Sequence, residues 1–581
     1  MSIMQQQCKR GSWGFDLLVL TVFLVLLFGL FLGARPLSTP DEARYSEIPR
    51  EMLVLHDFVT PHLNGVKYFE KPPLFYWIQA ASIKLFNPSL GEIASPDKAY
   101  KFDTALPEKP ISEWVVRIPN ALIALLGCLF LYAAGRLVFG RETGLLSAVI
   151  LGTNFLYFTL ARMVTLDMGL SVFLSSSLLA FLMAINSPQS KRRYLCYAAY
   201  SFSALAVLTK GLVGVVFPVM IIGLWILLTH QWRLLKQIYL PTGILLFLFI
   251  VLPWHVLVQL KNPEFLQFYF IDQQFLRYST LIAQRYQPDW FFIPILLAGF
   301  LPWVVFLFQA IVTSFPKTRQ QIREKSNHLF LLLWIGIIFI FFSLSHSKLI
   351  PYILPIFPAI ALLTGHYLSA QRKQFGIKWG TILLPCIWLA LGGLVILWRI
   401  VDPVADLPEA GIPFLIVGYS VFLLGSLITA FLNRWHYVKS AFITLTVGSA
   451  ISFIIFSTGI PRVDTRSIKP LVEILKPLLR PQDKVFSYAN YYQDLPFYLN
   501  QRVMTVNVTG ELSFGMLHQN TKTWMLSADK FWSLWHSQQQ IFIITDKTLY
   551  QSLKKNKKSI YLINSTPQDV LLSNHPIQRI E

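Results

Sequence analysis

The chain has 581 residues, of which 54% are hydrophobic and only 14% charged. Soluble globular proteins carry about 25% charged residues, so the composition excludes an ordinary soluble enzyme and marks a membrane protein. The formal charge of +20 does not point to nucleic acid. In polytopic membrane proteins lysine and arginine collect in cytoplasmic loops, and net charge then reports topology.

Apolar runs of roughly 17–25 residues cross a bilayer as helices. In chain order they are 15–33, 115–138, 144–161, 167–186, 194–209, 211–229, 239–260, 290–313, 329–345, 349–368, 378–400, 412–432 and 438–459. The pattern predicts about thirteen transmembrane helices. Only Lys210-Gly211 separates 194–209 from 211–229, so one long kinked helix is the alternative there. The first span follows a short basic region as a signal peptide would, but Gly33-Ala34-Arg35-Pro36 offers no clear cleavage site. It reads as a retained anchor.

Loop charge orients the spans. One alternating set of loops holds Lys9-Arg10, Arg141, Lys191-Arg192-Arg193, Arg233 and Lys236. The same set continues with Lys317, Arg319, Arg323, Lys325, Arg372, Lys373, Lys378, Arg434 and Lys439. The other set includes the acidic 401–411 loop, which has no Lys or Arg. Short basic loops stay in the cytoplasm, which puts the N-terminus inside and, with an odd number of spans, the C-terminus outside. If Lys210 did not mark an outer turn, every later loop would fall on the wrong side. Cys8, Cys128, Cys196 and Cys386 lie in or beside apolar segments without paired spacing, so neither a disulfide framework nor a zinc pattern is present.

Two outer segments are long, 34–114 and 261–289. In the first, Tyr45, Ile48, Met52 and Leu55 recur at helical spacing. That predicts an amphipathic helix from Glu42 to Leu55 lying along the interface. Pro72-Pro73 then breaks the chain before 74–86, an apolar segment too short to span. The second loop holds Glu264, Asp272, Arg277, Arg285 and Asp289 among aromatic residues. After 460 the polarity becomes ordinary. Short β-type runs at 484–488 and 541–545 and helix-like patterns around 468–479 and 527–537 predict a small α/β domain outside the membrane. It contains no nucleotide-binding or metal motif. The organisation expected is a transmembrane domain over 1–460, with 34–114 as an outer loop carrying half of an active site, and a soluble α/β domain over 461–581 outside the membrane.

The topology puts Asp41, Glu42, Arg44, Glu70, Lys71, Arg162, Asp167, Lys210, Arg277 and Lys348 at or near the outer membrane face. Charges at that depth are costly and mostly functional or paired. Lysine and arginine at helix ends also snorkel to water with no other role, whereas the short carboxylates of Asp41 and Asp167 cannot reach far. Outer carboxylates among several cations suit transfer of a group from a phosphate-linked carrier. Cations stabilise charge building on the phosphate leaving group, and a carboxylate orients or deprotonates the acceptor. A proton-coupled transporter would also place acids and bases there.

Several motifs carry a resemblance. They are Pro40-Asp41-Glu42-Ala43-Arg44-Tyr45, Pro61-His62-Leu63-Asn64-Gly65, Tyr68-Phe69-Glu70-Lys71-Pro72-Pro73 and Arg162-Met163-Val164-Thr165-Leu166-Asp167. Further on come Lys210-Gly211, the stretch from Ser347-Lys348 through Pro351-Tyr352 to Pro355, Tyr492-Gln493-Asp494, and Gly510-Glu511 through Gly515. In this order the set resembles the polyprenyl-phosphate-sugar-dependent membrane glycosyltransferases, most closely the bacterial lipid A aminoarabinose transferase family. The resemblance covers nearly the whole chain. It implies a polytopic α-helical GT-C fold with a periplasmic domain in the bacterial inner membrane. It also implies transfer of a sugar, 4-amino-4-deoxy-L-arabinose, from undecaprenyl phosphate to a lipid A phosphate. By the same resemblance Asp41 and Asp167 look like the catalytic acids, and Glu70-Lys71 matches a pair whose lysine contacts the carrier phosphate. Arg44, Tyr45, Tyr68 and Tyr352 match cavity-lining positions. Lys348 adds positive charge, and Lys210 and Arg277 join the phosphate-binding set.

One departure concerns metal. Relatives often carry an acid–His pair before the Arg of the second outer loop, where this chain has Asp272-Gln273-Gln274 ahead of Arg277. Gln is a poor substitute for imidazole. The sequence therefore calls for no cofactor, and a divalent metal, with Glu70 as its one candidate ligand, is the alternative. The nearest rivals keep the chemistry but change the sugar to a hexosamine or the acceptor to a protein or glycan. A flippase or transporter is the rival from another class, against which stands the lack of an internal repeat.

Overall fold

The computed structural model describes residues 11–90, 110–276, 285–370, 375–401, 409–462, 464–508, 510–556 and 559–577. The described residues group into two compact units, one of 1–32, 120–255 and 270–459, the other of 33–119, 256–269 and 460–581.

The first unit is helical. Every apolar run has a helical counterpart, and seven helices are individually long and apolar enough to cross a membrane. Two further pairs qualify together but are bent, Arg141–Gly152 with Phe155–Ala161 by 66° and Asp289–Gly299 with Val304–Ser314 by 111°. Shorter apolar helices cover Trp13–Gly29, Val213–Thr229 and Gly380–Gly393. The doubtful pair is two helices, Gln189–Lys210 and Val213–Thr229. The break falls at Gly211, whose φ of +108° is open to glycine and costly for other residues. The helices return against each other, with the Ser203 hydroxyl donating to the Gly214 carbonyl at 2.8 Å.

The helix Gly11–Gly29 is fixed at both ends by buried polar contacts. Near its start Asp16 accepts from Tyr132 and Arg136 at 2.7 Å each, and from Arg141 at 2.6 and 2.7 Å. Past its end Arg162 donates to the carbonyls of Leu27, Phe28 and Leu30 at 3.2, 3.0 and 2.6 Å. Terminal helix carbonyls lack partners within the helix, and a guanidinium supplies them with charge-assisted donors. Arg162 is a helix cap.

The second unit has a six-stranded mixed sheet, in order β5-β4-β3-β6-β8-β7. Its strands are β3 (Lys484–Tyr488), β4 (Met504–Val506), β5 (Met525–Leu526), β6 (Ile541–Asp546), β7 (Tyr561–Ser565) and β8 (Asp569–Ser573). Strands β3–β6 run parallel, and β8 joins β6 antiparallel with β7 at the edge. The run Ile541–Ile544 is wholly buried, as a central parallel strand covered on both faces should be.

Against this α/β region lies the helix Asp41–Leu55, and here the structure departs from the amphipathic expectation. Every residue from Glu42 to Leu53 is buried, polar ones included. The polar side chains are paired: Arg50 donates to Glu47 at 2.6 and 2.7 Å and to the Asn500 carbonyl at 3.3 Å. Glu51 accepts from the Gly65 amide at 3.0 Å. Periodicity read the polar face as solvated; the 460–581 region covers it instead.

Next comes a two-strand hairpin, β1 (His62–Leu63) and β2 (Val66–Lys67), turning on Asn64-Gly65. Both turn residues have positive φ, 52° and 79°, as a type I′ turn requires. The Asn64 amide donates to the Val503 carbonyl at 3.0 Å, and its oxygen accepts from the Val503 amide at 2.9 Å. Gly515 packs so tightly on the hairpin that a Cβ there would sit 2.5 Å from Val66 Cβ. The motif around Asn64-Gly65 is thus a docking element.

Glu42 is the deepest anchor. It accepts from Arg35 at 2.6 Å, from Arg117 at 3.0 and 3.1 Å, and from the Ser38 amide at 2.9 Å. Arg117 also donates to the carbonyls of Arg35 and Pro36 at 2.8 and 2.7 Å. Burial works against the charged carboxylate, but the two guanidinium groups overcome it and hold its pKa down to about 2, from 4.5. A depressed carboxylate stabilises the fold above its unfolded pKa and loses that contribution on acidification. Glu42→Gln is therefore expected to cost about 3–5 kcal/mol at pH 7. Thermal unfolding of the purified protein checks this, and the difference between wild type and variant should shrink as pH falls from 4.5 toward about 2.

Candidate active site

The expected site residues fall in both units. In the second unit, Asp41 opens its helix, where the helix dipole favours an acid. Its side chain is 53% exposed and accepts from Arg44 at 3.1 Å. Arg44 lies one turn along and is itself buried. On its other side the Arg44 Nε is ion-paired with Glu511 of the α/β region. Glu511 also accepts from the Gln493 amide at 2.7 Å.

Around this bridge stand Tyr45, Tyr68 and Glu70. Burial opposes the Arg44 charge, but the fields of Tyr68, Glu511, Tyr45 and Glu70 outweigh it and hold the guanidinium firmly protonated. Burial pushes the Tyr68 hydroxyl well above its ordinary range, with Glu70 adding to the effect. Tyr76 shares this environment and packs against Tyr45 at 6.3 Å between ring centroids. The hydroxyls of Tyr68 and Tyr76 are buried with no hydrogen-bond partner among the described residues. Fixed neutral hydroxyls beside a cation are donors ready for a polar ligand. Lys71 is buried too. The stretch carrying Tyr68–Lys71 is braced by Phe69, edge-on to Phe265 at 5.4 Å and to Phe514 at 5.8 Å. Lys67 pairs with Glu264 at 2.8 Å.

In the first unit, Asp167, Lys210 and Tyr352 come together. Asp167 occupies the first turn of Leu166–Ile185, where Thr165 caps the helix and its hydroxyl lies 3.1 Å from the Asp167 carboxylate. Lys210 ends its own helix and is ion-paired to Asp167. Its ammonium sits 4.5 Å from the centre of the Tyr352 ring, within cation–π range. Lys348 does not join them. It is buried and donates to the Gln287 carbonyl at 2.8 Å, with the Asp289 carboxylate at 3.3 Å. Lys348 therefore holds the 285–289 segment, the physical reason being that its ammonium is already satisfied there. Arg277 lies outside the described residues.

Sequence reasoning missed Tyr76 as a member of the Arg44 cluster and gave Gln493 and Glu511, both within its motifs, no role. Tyr76 lies in the apolar segment 74–86 and reads as an ordinary aromatic of a short helix. Among the described residues no three His, Cys, Asp or Glu side chains are grouped to hold a metal ion. His255 hydrogen-bonds the Val251 carbonyl at 2.8 Å through Nδ1.

Residues 101–256 match the family profile for dolichyl-phosphate-mannose-protein mannosyltransferase, and 471–574 match the aminoarabinose transferase C-terminal domain. An undecaprenyl phosphate-alpha-4-amino-4-deoxy-L-arabinose arabinosyl transferase of Proteus mirabilis is 31% identical over 369 residues, 63% of this chain and 61% of that protein. The aligned part thus spans about three fifths of that relative. The transferase of the same name from Edwardsiella ictaluri is 25% identical over 91% of this chain and 92% of its own. The crystal structure of ArnT from Cupriavidus metallidurans bound to undecaprenyl phosphate superposes with a TM-score of 0.83 at 27% identity, covering 97% of this chain and 98% of the other.

The chain is a multi-pass membrane protein of the GT-C glycosyltransferase fold. Over nearly its whole length it is similar to ArnT and to the aminoarabinose transferases.

The Asp167–Lys210 pair can be tested directly. Asp167→Asn, Lys210→Met and the double variant should give non-additive thermal stabilities, with a coupling of about 1–3 kcal/mol. Additive effects would remove the pair.

Proposed function

We propose that the chain is an inverting glycosyltransferase of the bacterial inner membrane that moves 4-amino-4-deoxy-L-arabinose from undecaprenyl phosphate to a phosphate of lipid A. The observation that carries this reading is the likeness, over 97% of the chain, to a structure holding undecaprenyl phosphate. The N-terminus is cytoplasmic and the 461–581 region periplasmic, supported by the one-sided distribution of Lys and Arg among the short loops.

In the proposed reaction an oxygen of the acceptor phosphate attacks the anomeric carbon while the bond from that carbon to the carrier phosphate oxygen breaks. The bonding electrons leave on undecaprenyl phosphate. A phosphate monoester is already largely ionised near neutral pH, its second pKa being about 6, so no strong base is required. Asp41, half-exposed and held by Arg44, orients the acceptor and stabilises positive charge developing on the sugar ring. Lys71 neutralises the departing carrier phosphate, and Arg277, whose planar fork suits phosphate oxygens, serves the same end. Asp167, the other candidate acid, stands in the first unit with Lys210 and Tyr352.

The test is release of undecaprenyl phosphate by purified protein given the aminoarabinose-linked donor and lipid A. Wild type should release it in proportion to modified lipid A. Asp41→Asn should lose roughly 10²-fold or more in kcat, as when a group acting on the transition state is removed. An Asp41→Asn variant as fast as wild type would take Asp41 out of the mechanism.

A further inference from the structure

We propose that Glu511, carried by the 460–581 region, is a positioning residue for Asp41, acting through Arg44. The inference rests on the transferase reading above.

The geometry is a chain of three charged groups. Arg44 presents Nη1 to Asp41 Oδ1 at 3.1 Å and pairs through Nε with Glu511. A guanidinium is planar and rigid, so a buried carboxylate paired by charge at its Nε edge biases where the Nη1 donor points. Without that grip, Arg44 and Asp41 would form an i,i+3 pair on one helix, and such a pair is weak and mobile when its acid is half-exposed. Glu511 is in turn fixed by Gln493, which donates to Oε1 at 2.7 Å. Gly510, with φ of +89°, turns the backbone just before Glu511. The helix Ser513–His518 just after it is seated by Gly515 on the hairpin residue Val66. Glu511 is therefore delivered to Arg44 by a segment that is itself docked beside the site.

Charge balance points the same way. Arg44 is shared by two carboxylates, so Asp41 faces only part of one positive charge. The titratable and charged groups around the bridge are Tyr45, Tyr68 and Glu70, with Tyr76 from its own helix and Tyr491 from the α/β region. Burial and Glu70 push the Glu511 carboxyl upward, while Arg44 and Gln493 oppose them. Replacing Glu511 by a neutral isostere would leave the whole Arg44 charge to Asp41. A residue that only supported the fold would not lower kcat with KM unmoved, nor be rescued by the shorter acid.

The experiment uses the full-length protein in detergent or nanodiscs, with the assay for undecaprenyl phosphate release. Glu511→Gln should lower kcat about 10- to 100-fold with the donor KM within about twofold. Glu511→Asp should recover part of the rate. Gln493→Ala, which leaves the Arg44–Glu511 pair in place, should give a smaller loss of kcat and keeps the test open if Glu511→Gln does not fold. Overturning results are a wild-type kcat in Glu511→Gln, a loss confined to KM, no recovery in Glu511→Asp, or a wild-type kcat in Gln493→Ala when Glu511→Gln does not fold. If the wild-type protein itself releases no undecaprenyl phosphate, the transferase reading fails, which is distinct from an active wild type matched by Glu511→Gln.

Discussion

A single buried carboxylate sets the geometry of the second unit. Glu42 takes two guanidinium groups and a backbone amide, and one of those groups, Arg117, also ties down the carbonyls of Arg35 and Pro36. An uncompensated charge at that depth would be strongly destabilising, so the four parts form together or not at all. What the knot fixes is the start of the helix Asp41–Leu55. Asp41 is adjacent to the anchor yet outside it, with its carboxylate half in solvent. Neighbouring acids thus do opposite work: one is spent on structure, and the other is left available for chemistry.

The same division runs through the motifs. Asn64-Gly65 and Gly515 carry no chemistry, but they join the hairpin to the α/β region by paired hydrogen bonds and a contact too close for any side chain on residue 515. Glu511 lies between those contacts and the Arg44 it reaches. The 460–581 region is therefore more than cover. It closes the polar face of the helix Asp41–Leu55 and contributes a carboxylate to the group around Arg44.

Much of this was legible in the sequence. The apolar runs located the helices because twenty-residue hydrophobic stretches have few other uses. The central strands read correctly because Ile541–Ile544 and its neighbours are apolar on both faces. Asp41, Asp167 and Lys210 stood out because charge at membrane depth is costly. What was not legible depends on contacts distant in sequence. Arg162 stood among the outer-face charges with no assigned role and is a cap on a helix that ends more than a hundred residues earlier. The helix Asp41–Leu55 looked amphipathic because periodicity cannot say what covers a polar face. Lys348 looked free for a ligand until its partners at 287 and 289 were known. Asp16 did carry a signal, an acid inside an apolar run, and its partners Arg136 and Arg141 explain it.

The central claim is that this chain places 4-amino-4-deoxy-L-arabinose on lipid A. Mass spectrometry of lipid A from cells with and without the gene, under conditions where it is expressed, tests that most directly. The expected result is a lipid A species bearing the amino sugar on a phosphate in cells with the gene and its loss in cells without it. An identical lipid A profile in the two would contradict the claim.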